Sequence, residues 1–165
     1  MLRLFFALPC PAEIARQIDA WRQPQHLDGR LVPVANLHVT LAFLGHLPES
    51  RLPLLRQLPQ QLPLSELAFD LQLDRLDCWH GGLLHLAPSQ LPAELMALAG
   101  GLRQLLDTAG LPGDGRAYRP HLTLARESSR PQVPTPLSVR WRAEELVLYQ
   151  SEQGGYLPLA SWPLG

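Results

Sequence analysis

The sequence predicts an α+β fold built twice, as two lobes whose antiparallel sheets line a central cleft and whose helices lie outside. Three observations carry this. A five-residue stretch occurs in two copies, His38-Val39-Thr40-Leu41-Ala42 and His121-Leu122-Thr123-Leu124-Ala125. The segments around the copies follow one order twice: strand, helix, His strand, strand. The connections are short and draw on 17 Pro and 12 Gly, which favours antiparallel neighbours. The repeats fall at about residues 1–80 and 81–165, sharing a single domain of 165 residues.

Leu2 to Leu8 is an apolar run with one Arg, the mark of a buried strand, and Pro9 ends it. Pro11-Ala12-Glu13 opens a helix, because Pro is tolerated in a first turn and an early Glu suits the helix dipole. Ile14, Ile18 and Trp21 form its apolar stripe, and Pro24 with the polar stretch 25–30 stops it. Val32 and Val34 lead into the first His strand, Leu37 to Leu44, which Gly45, His46 and Pro48 end. A shorter helix is expected from Pro48 to Leu58, with Pro53 in its first turn and Leu52, Leu55 and Leu58 as its stripe. Phe69, Leu71 and Leu73 alternate with polar residues as one half-buried strand running to Cys78. His80-Gly81-Gly82 then reads as a hairpin connection, and Leu83 to Ala87 as the returning strand.

There the order restarts. Pro92-Ala93-Glu94-Leu95 repeats Pro11-Ala12-Glu13-Ile14, with Leu95, Leu98, Leu102, Leu105 and Leu106 as a long helical stripe and Gly110 as its stop. The helix openings lie 81 residues apart and the two His residues 83 apart, so the registers nearly agree. After the second His strand, His121 to Ala125, the stretch Ser138 to Tyr149 alternates loosely as one strand, and Gly154-Gly155 turns into a last strand, Tyr156 to Trp162.

Composition narrows the classes. An apolar fraction of 46% supports a sizeable core, and a net charge of −1 gives no global pull toward nucleic acid or anionic membrane. All 14 basic residues are Arg, which suits bidentate phosphate contacts. Cys10 and Cys78 have no ligand spacing and read as free thiols of a reducing compartment. The opening apolar run is cut by Pro9 and Pro11 before signal-peptide length, and no run approaches the ~20 apolar residues of a membrane span. The cytoplasm is the expected location, without membrane association.

On a strand, residues i and i+2 share a face, so each motif presents an imidazole beside a hydroxyl. Two His give one acid and one base, since the ordinary imidazole pKa of ~6.5 makes both protonation states accessible. The Thr40 and Thr123 hydroxyls are short neutral donors suited to oxygens that gain charge in a transition state. The set fits transfer at phosphorus without a metal, a cofactor or a covalent nucleophile. A lone His-x-Thr on a strand is usually structural; two copies at matching places in a repeat reverse that reading. Phe5, Phe6 and Phe43 are candidates for stacking on a base, though such residues more often fill cores. Tyr118 and Arg119 precede the second motif and are candidates to line the cleft. His26, His46, His80 and His85 lack ligand spacing and read as structural, which disfavours a metal site.

These motifs resemble the 2H phosphoesterase superfamily, and within it the chain looks like the bacterial RNA 2′,3′-cyclic phosphodiesterases, the LigT-like proteins also called 2′-5′ RNA ligases. The resemblance covers nearly the whole chain: Leu2 to Leu8 with Pro11 to Ile14, Asn36 to Gly45, Pro120 to Arg126, Leu148 to Ser151, and Tyr156 through Leu164. It implies a metal-independent opening of a terminal RNA 2′,3′-cyclic phosphate by water, giving a 2′-phosphomonoester. It also implies roles: His38 as proton donor, His121 as proton acceptor, Thr40 and Thr123 on the phosphate oxygens, and Arg126 as a phosphate clamp. Near-equivalence of the motifs leaves the donor and acceptor open on the residues alone. Strict alternation would turn Arg126 away from His121, so a strand end or bulge must re-aim it. The implied partner is RNA with such an end, tRNA fragments among them, and the implied state is a monomer. Rival readings are a 2H phosphodiesterase acting on a small cyclic nucleotide or cyclic phosphate, 2′-5′ ligation as the same chemistry reversed, and a non-catalytic binder of RNA ends.

Overall fold

Antiparallel pairing organises the chain, as its short connections require. The computed structural model describes residues 1–131 and 135–165. The first half supplies β1 (Leu2–Pro9), α1 (Ala12–Arg22), β2 (Arg30–Leu31), β3 (His38–Leu47), α2 (Leu52–Gln57), β4 (Phe69–Leu73) and β5 (Arg75–Trp79). The second supplies β6 (Leu83–Ala87), α3 (Ala93–Thr108), β7 (Leu122–Arg126), β8 (Val139–Ala143), β9 (Glu145–Glu152) and β10 (Gly155–Pro163). One sheet runs β10-β9-β1-β3-β7-β6-β5 with β2 on β7, and a second pairs β4 with β8. The fold is α+β with antiparallel sheets.

The halves interlock. β5 belongs to the first half in sequence but pairs with β6 of the second, while β9 of the second pairs with β1 of the first. β4 and β8, one from each half, pair with each other. The two His strands do not face one another across separate sheets. They are neighbours, joined at the single pair Val39↔Leu122. Each hairpin-like pair, β1–β3 and β6–β7, leaves its His strand as an edge, and joining the edges satisfies backbone groups that would otherwise be unpaired.

The two loosely alternating stretches each divide in two. Residues 69–73 and 139–143 alternate strictly between buried and exposed, as a strand between core and solvent must. The chain then changes sheet at Asp74 and at Glu144. Asp74 caps the turn through Ser89, accepting from its backbone N at 2.8 Å and its Oγ at 2.6 Å. β3 runs on to Leu47, past the expected stop at Gly45, because Gly45 takes φ +71° inside a strand irregularity that only a residue without a Cβ adopts freely.

Leu4, Phe6 and Leu8 of β1, Ile18 of α1, and Leu95, Leu98 and Leu102 of α3 are fully buried in one core. Burial of side chains this size is worth ~1.5–3 kcal/mol each. α1 packs against β8 and α3 against β3. Pro53 lies in the first turn of α2, where its missing N–H costs nothing. Among the described residues, no helix is long and apolar enough to cross a membrane.

Candidate active site

The pair Val39↔Leu122 fixes the geometry of both motifs. Val39 and Leu122 are buried, so their neighbours point the other way, into the cleft. Carried one residue to either side, the antiparallel register sets His38 across from Thr123 and Thr40 across from His121. The four side chains share a face, with like residues on the diagonals. Directly opposed residues on such a pair have Cβ atoms ~4.5–5.5 Å apart, so the set spans little more than a phosphate group.

Each imidazole is anchored in the same way. His38 donates from Nδ1 to the Asn36 carbonyl at 2.7 Å, and His121 from Nδ1 to the Arg119 carbonyl at 2.8 Å. A carbonyl only accepts, so Nδ1 carries the proton and Nε2 is the nitrogen left to take up or release one. His38 Nε2 lies 2.8 Å from Thr40 Oγ1. The Asn36 carbonyl ends a 3₁₀ turn, Val34–Asn36, that leads straight into β3.

Both motifs carry a bulge just after their Thr. Against β1, Ala7↔Thr40 is followed by Phe6↔Ala42, which leaves Leu41 as an extra residue of β3. Against β6, His85↔Thr123 is followed by Leu84↔Ala125, which leaves Leu124 as the extra residue of β7. A bulge reverses the alternation beyond it. Leu124 and Ala125 are therefore buried in succession and Arg126 is turned outward. This is the re-aiming that strict alternation demanded for Arg126, and its charge acts on both His38 and His121. By the same count Phe43 stands in the first motif where Arg126 stands in the second, and it is 53% exposed.

The β7 bulge is held from behind. Arg22 of α1 is 2% exposed and donates from Nη1 to the carbonyls of Val32 at 2.7 Å and Leu124 at 3.0 Å. Its Nη2 meets Asp19 Oδ1 at 2.7 Å. Beyond Arg126, Glu127 turns at φ 52° and pairs with Arg30 at 3.0 Å. Gly29 passes so close that a Cβ there would strike the Arg126 carbonyl.

The two imidazoles sit in different surroundings. His38 lies among aromatic rings, with centroids 5.1 Å from Phe5 and 5.2 Å from Tyr156. Phe5 and Phe6 are buried, so neither is free to stack on a base. His121 packs 4.5 Å from Trp79 and 5.5 Å from His85. Burial is the first cause that pushes both site histidines below the ordinary imidazole value, against the opposing pull of their carbonyl acceptors. Positive neighbours add to it: His121 and Arg126 at His38; His85, Arg119 and Arg126 at His121.

Sequence reasoning did not find Trp79, His85 or Tyr156 for this site, because their approach depends on pairing between distant strands. His85 read as structural. It is 1% exposed and bonded through Nδ1 to the Leu83 carbonyl at 3.0 Å, yet its ring faces His121. Tyr118 and Arg119 do line the cleft, and Tyr118 donates its hydroxyl to the Thr40 carbonyl at 2.8 Å. Among the described residues, no three His, Cys, Asp or Glu side chains gather where a metal ion could be held.

Paired imidazoles with paired hydroxyls on one rigid face define a class, proteins that act on phosphate esters by acid–base chemistry. The chain belongs to the 2′-5′ RNA ligase superfamily, whose family model matches residues 10–155. It is 34% identical over 171 residues to an RNA 2′,3′-cyclic phosphodiesterase of Escherichia coli, covering 98% of this chain and 96% of that protein. A protein of the same name from Thermus thermophilus is 33% identical over 163 residues, covering 92% of this chain and 82% of that one. The crystal structure of E. coli LigT complexed with 3′-AMP superposes with a TM-score of 0.89 at 34% identity, covering 99% of this chain and 98% of that one.

Proposed function

We propose that the protein hydrolyses RNA 2′,3′-cyclic phosphate ends to 2′-phosphomonoesters by paired-histidine acid–base catalysis. The observation that carries this reading is the diagonal square of His38, Thr40, His121 and Thr123, with both Nδ1 atoms held by backbone carbonyls and both Nε2 atoms left for proton transfer. Water attacks phosphorus while His121 Nε2 takes its proton, and His38 Nε2 gives its proton to the departing 3′ oxygen. One P–O bond forms from water and the P–O3′ bond breaks, leaving the phosphate on the 2′ oxygen. The histidines finish in exchanged protonation states and re-equilibrate with solvent.

The polarity, His38 as donor and His121 as acceptor, follows the family resemblance of the two motifs. Burial first, and positive neighbours next, lower the pKa of both His38 and His121, so the surroundings favour neither histidine as the base. A protonated His38 donates from Nε2 to Thr40 Oγ1, which frees the Thr40 hydroxyl hydrogen for a phosphate oxygen. Thr123 serves the other non-bridging oxygen, and Arg126 clamps the phosphate and offsets its charge. Phe43, exposed in the cleft wall, stacks on the terminal base.

The reading takes residues 1–165 as one working unit, since each half completes its sheet with a strand of the other. It needs no second copy, because one chain supplies every reacting group, and broken tRNA ends are one source of suitable substrates. His38→Ala and His121→Ala should each lower turnover of a cyclic-phosphate RNA by about 10²–10⁴-fold while leaving the circular dichroism spectrum and melting unchanged. Full turnover in either variant, or loss of folding in both, would contradict the reading.

A further inference from the structure

The cavity beside His121 is large for one nucleotide end. Its volume is about 910 Å³, near the top of the ~300–1,000 Å³ usual for small-molecule sites. Thr40 and His121 line its inner end. From there it runs outward along β3 to Gly45, beneath the last turns of α3 and the loop 111–119. Apolar wall comes from Leu106, Leu111 and Pro112.

Three Arg line the cavity, and two are engaged. Arg116 pairs through Nε with Asp114 at 3.4 Å, and Arg103 donates from Nη1 to the Arg116 carbonyl at 2.6 Å. The Arg119 guanidinium has neither a carboxylate nor a hydrogen-bond acceptor among the described residues. It lies over the Trp79 ring at 4.4 Å. A guanidinium that rests on an aromatic ring rather than in an ion pair keeps N–H groups available for a phosphate. Its backbone carbonyl also holds His121, and the two side chains line the same cavity.

We propose that this cavity holds the nucleotide on the 5′ side of the cyclic-phosphate nucleotide, with Arg119 gripping the phosphodiester that joins the two. The inference rests on the cyclic-phosphate reading above and adds a second subsite to it. A single-stranded end of two nucleotides is then the unit recognised. The ribose of the terminal nucleotide spans from the reactive face to Arg119, and the next base lies against the apolar wall.

The test compares adenosine 2′,3′-cyclic phosphate with the diadenosine ApA carrying a 2′,3′-cyclic phosphate, in one protein at a time. In wild type the dinucleotide should have a kcat/KM about 10–100-fold higher, the worth of one charged phosphate contact. Its dependence on log salt should be steeper by about 0.7, as one extra phosphate on a single strand requires. Arg119→Gln should collapse the dinucleotide-to-mononucleotide ratio through KM, and Arg119→Lys should restore part of it. Trp79→Leu serves as the independent variant and should lower the ratio as well. Equal kcat/KM for the two substrates in wild type, or an unchanged ratio in Arg119→Gln, would overturn the second subsite. Binding of the two open products, adenosine 2′-phosphate and ApA 2′-phosphate, is measured by calorimetry alongside. Turnover of neither substrate would defeat the hydrolase reading; equal product affinities would defeat the subsite alone.

Discussion

His38 and His121 each have one ring nitrogen committed to a carbonyl and one left for chemistry. That commitment was legible only in part. The His-x-Thr spacing announces that imidazole and hydroxyl share a face, but the carbonyl two residues upstream is an acceptor only because of how the chain enters each strand. Trp79 and His85 were illegible, since neither has a motif and both reach His121 from another hairpin. The surroundings set a pH dependence. The base must be neutral and the acid protonated, so kcat/KM should follow a bell. Burial first, and positive neighbours next, depress both histidines, so both limbs should lie on the acid side of the ordinary ~6.5. Arg126→Gln removes a positive charge from both, which raises both values. The bell should therefore shift to higher pH as turnover falls, and a shift to lower pH or none would contradict the placement of Arg126.

At the scale of elements, the two bulges explain why the motif repeats beyond its His and Thr. Leu41 and Leu124 are the extra residues, and the apolar pair after each Thr suits a strand whose alternation reverses: Leu124 and Ala125 are both buried, Leu41 is buried and Ala42 half-buried. The sequence shows the repeated Leu-Ala plainly; the reason for it appears only once the neighbouring strands supply a register. The same holds for 69–79 and 138–149, where alternation marks strands correctly but cannot show that the chain changes sheet at Asp74 and Glu144. Arg22 is the element-scale counterpart, a buried cation tying α1 to the β7 bulge through the Leu124 carbonyl. Arg22→Met leaves two carbonyls without their donor, and should lower unfolding free energy in urea by about 1–3 kcal/mol. It should also reduce kcat, because the turn that presents Arg126 loses its support. Unchanged stability with unchanged kcat would show that the bulge holds without Arg22.

Across the whole molecule, the duplicated order of elements was visible in the sequence, and the exchange of strands was not. Periodicity reports which face of a strand is buried, while the choice of partner depends on edges that exist only after the hairpins form. That exchange has a functional consequence. β3 and β7 become neighbours, so two motifs 83 residues apart meet on one face with their histidines on a diagonal. The decisive property of that face is what it does to a cyclic phosphate. An RNA oligonucleotide ending in a 2′,3′-cyclic phosphate, incubated with the protein in EDTA, should yield a 2′-phosphate that phosphatase removes. A 3′-phosphate product, turnover abolished by EDTA, or no turnover by folded protein would contradict it.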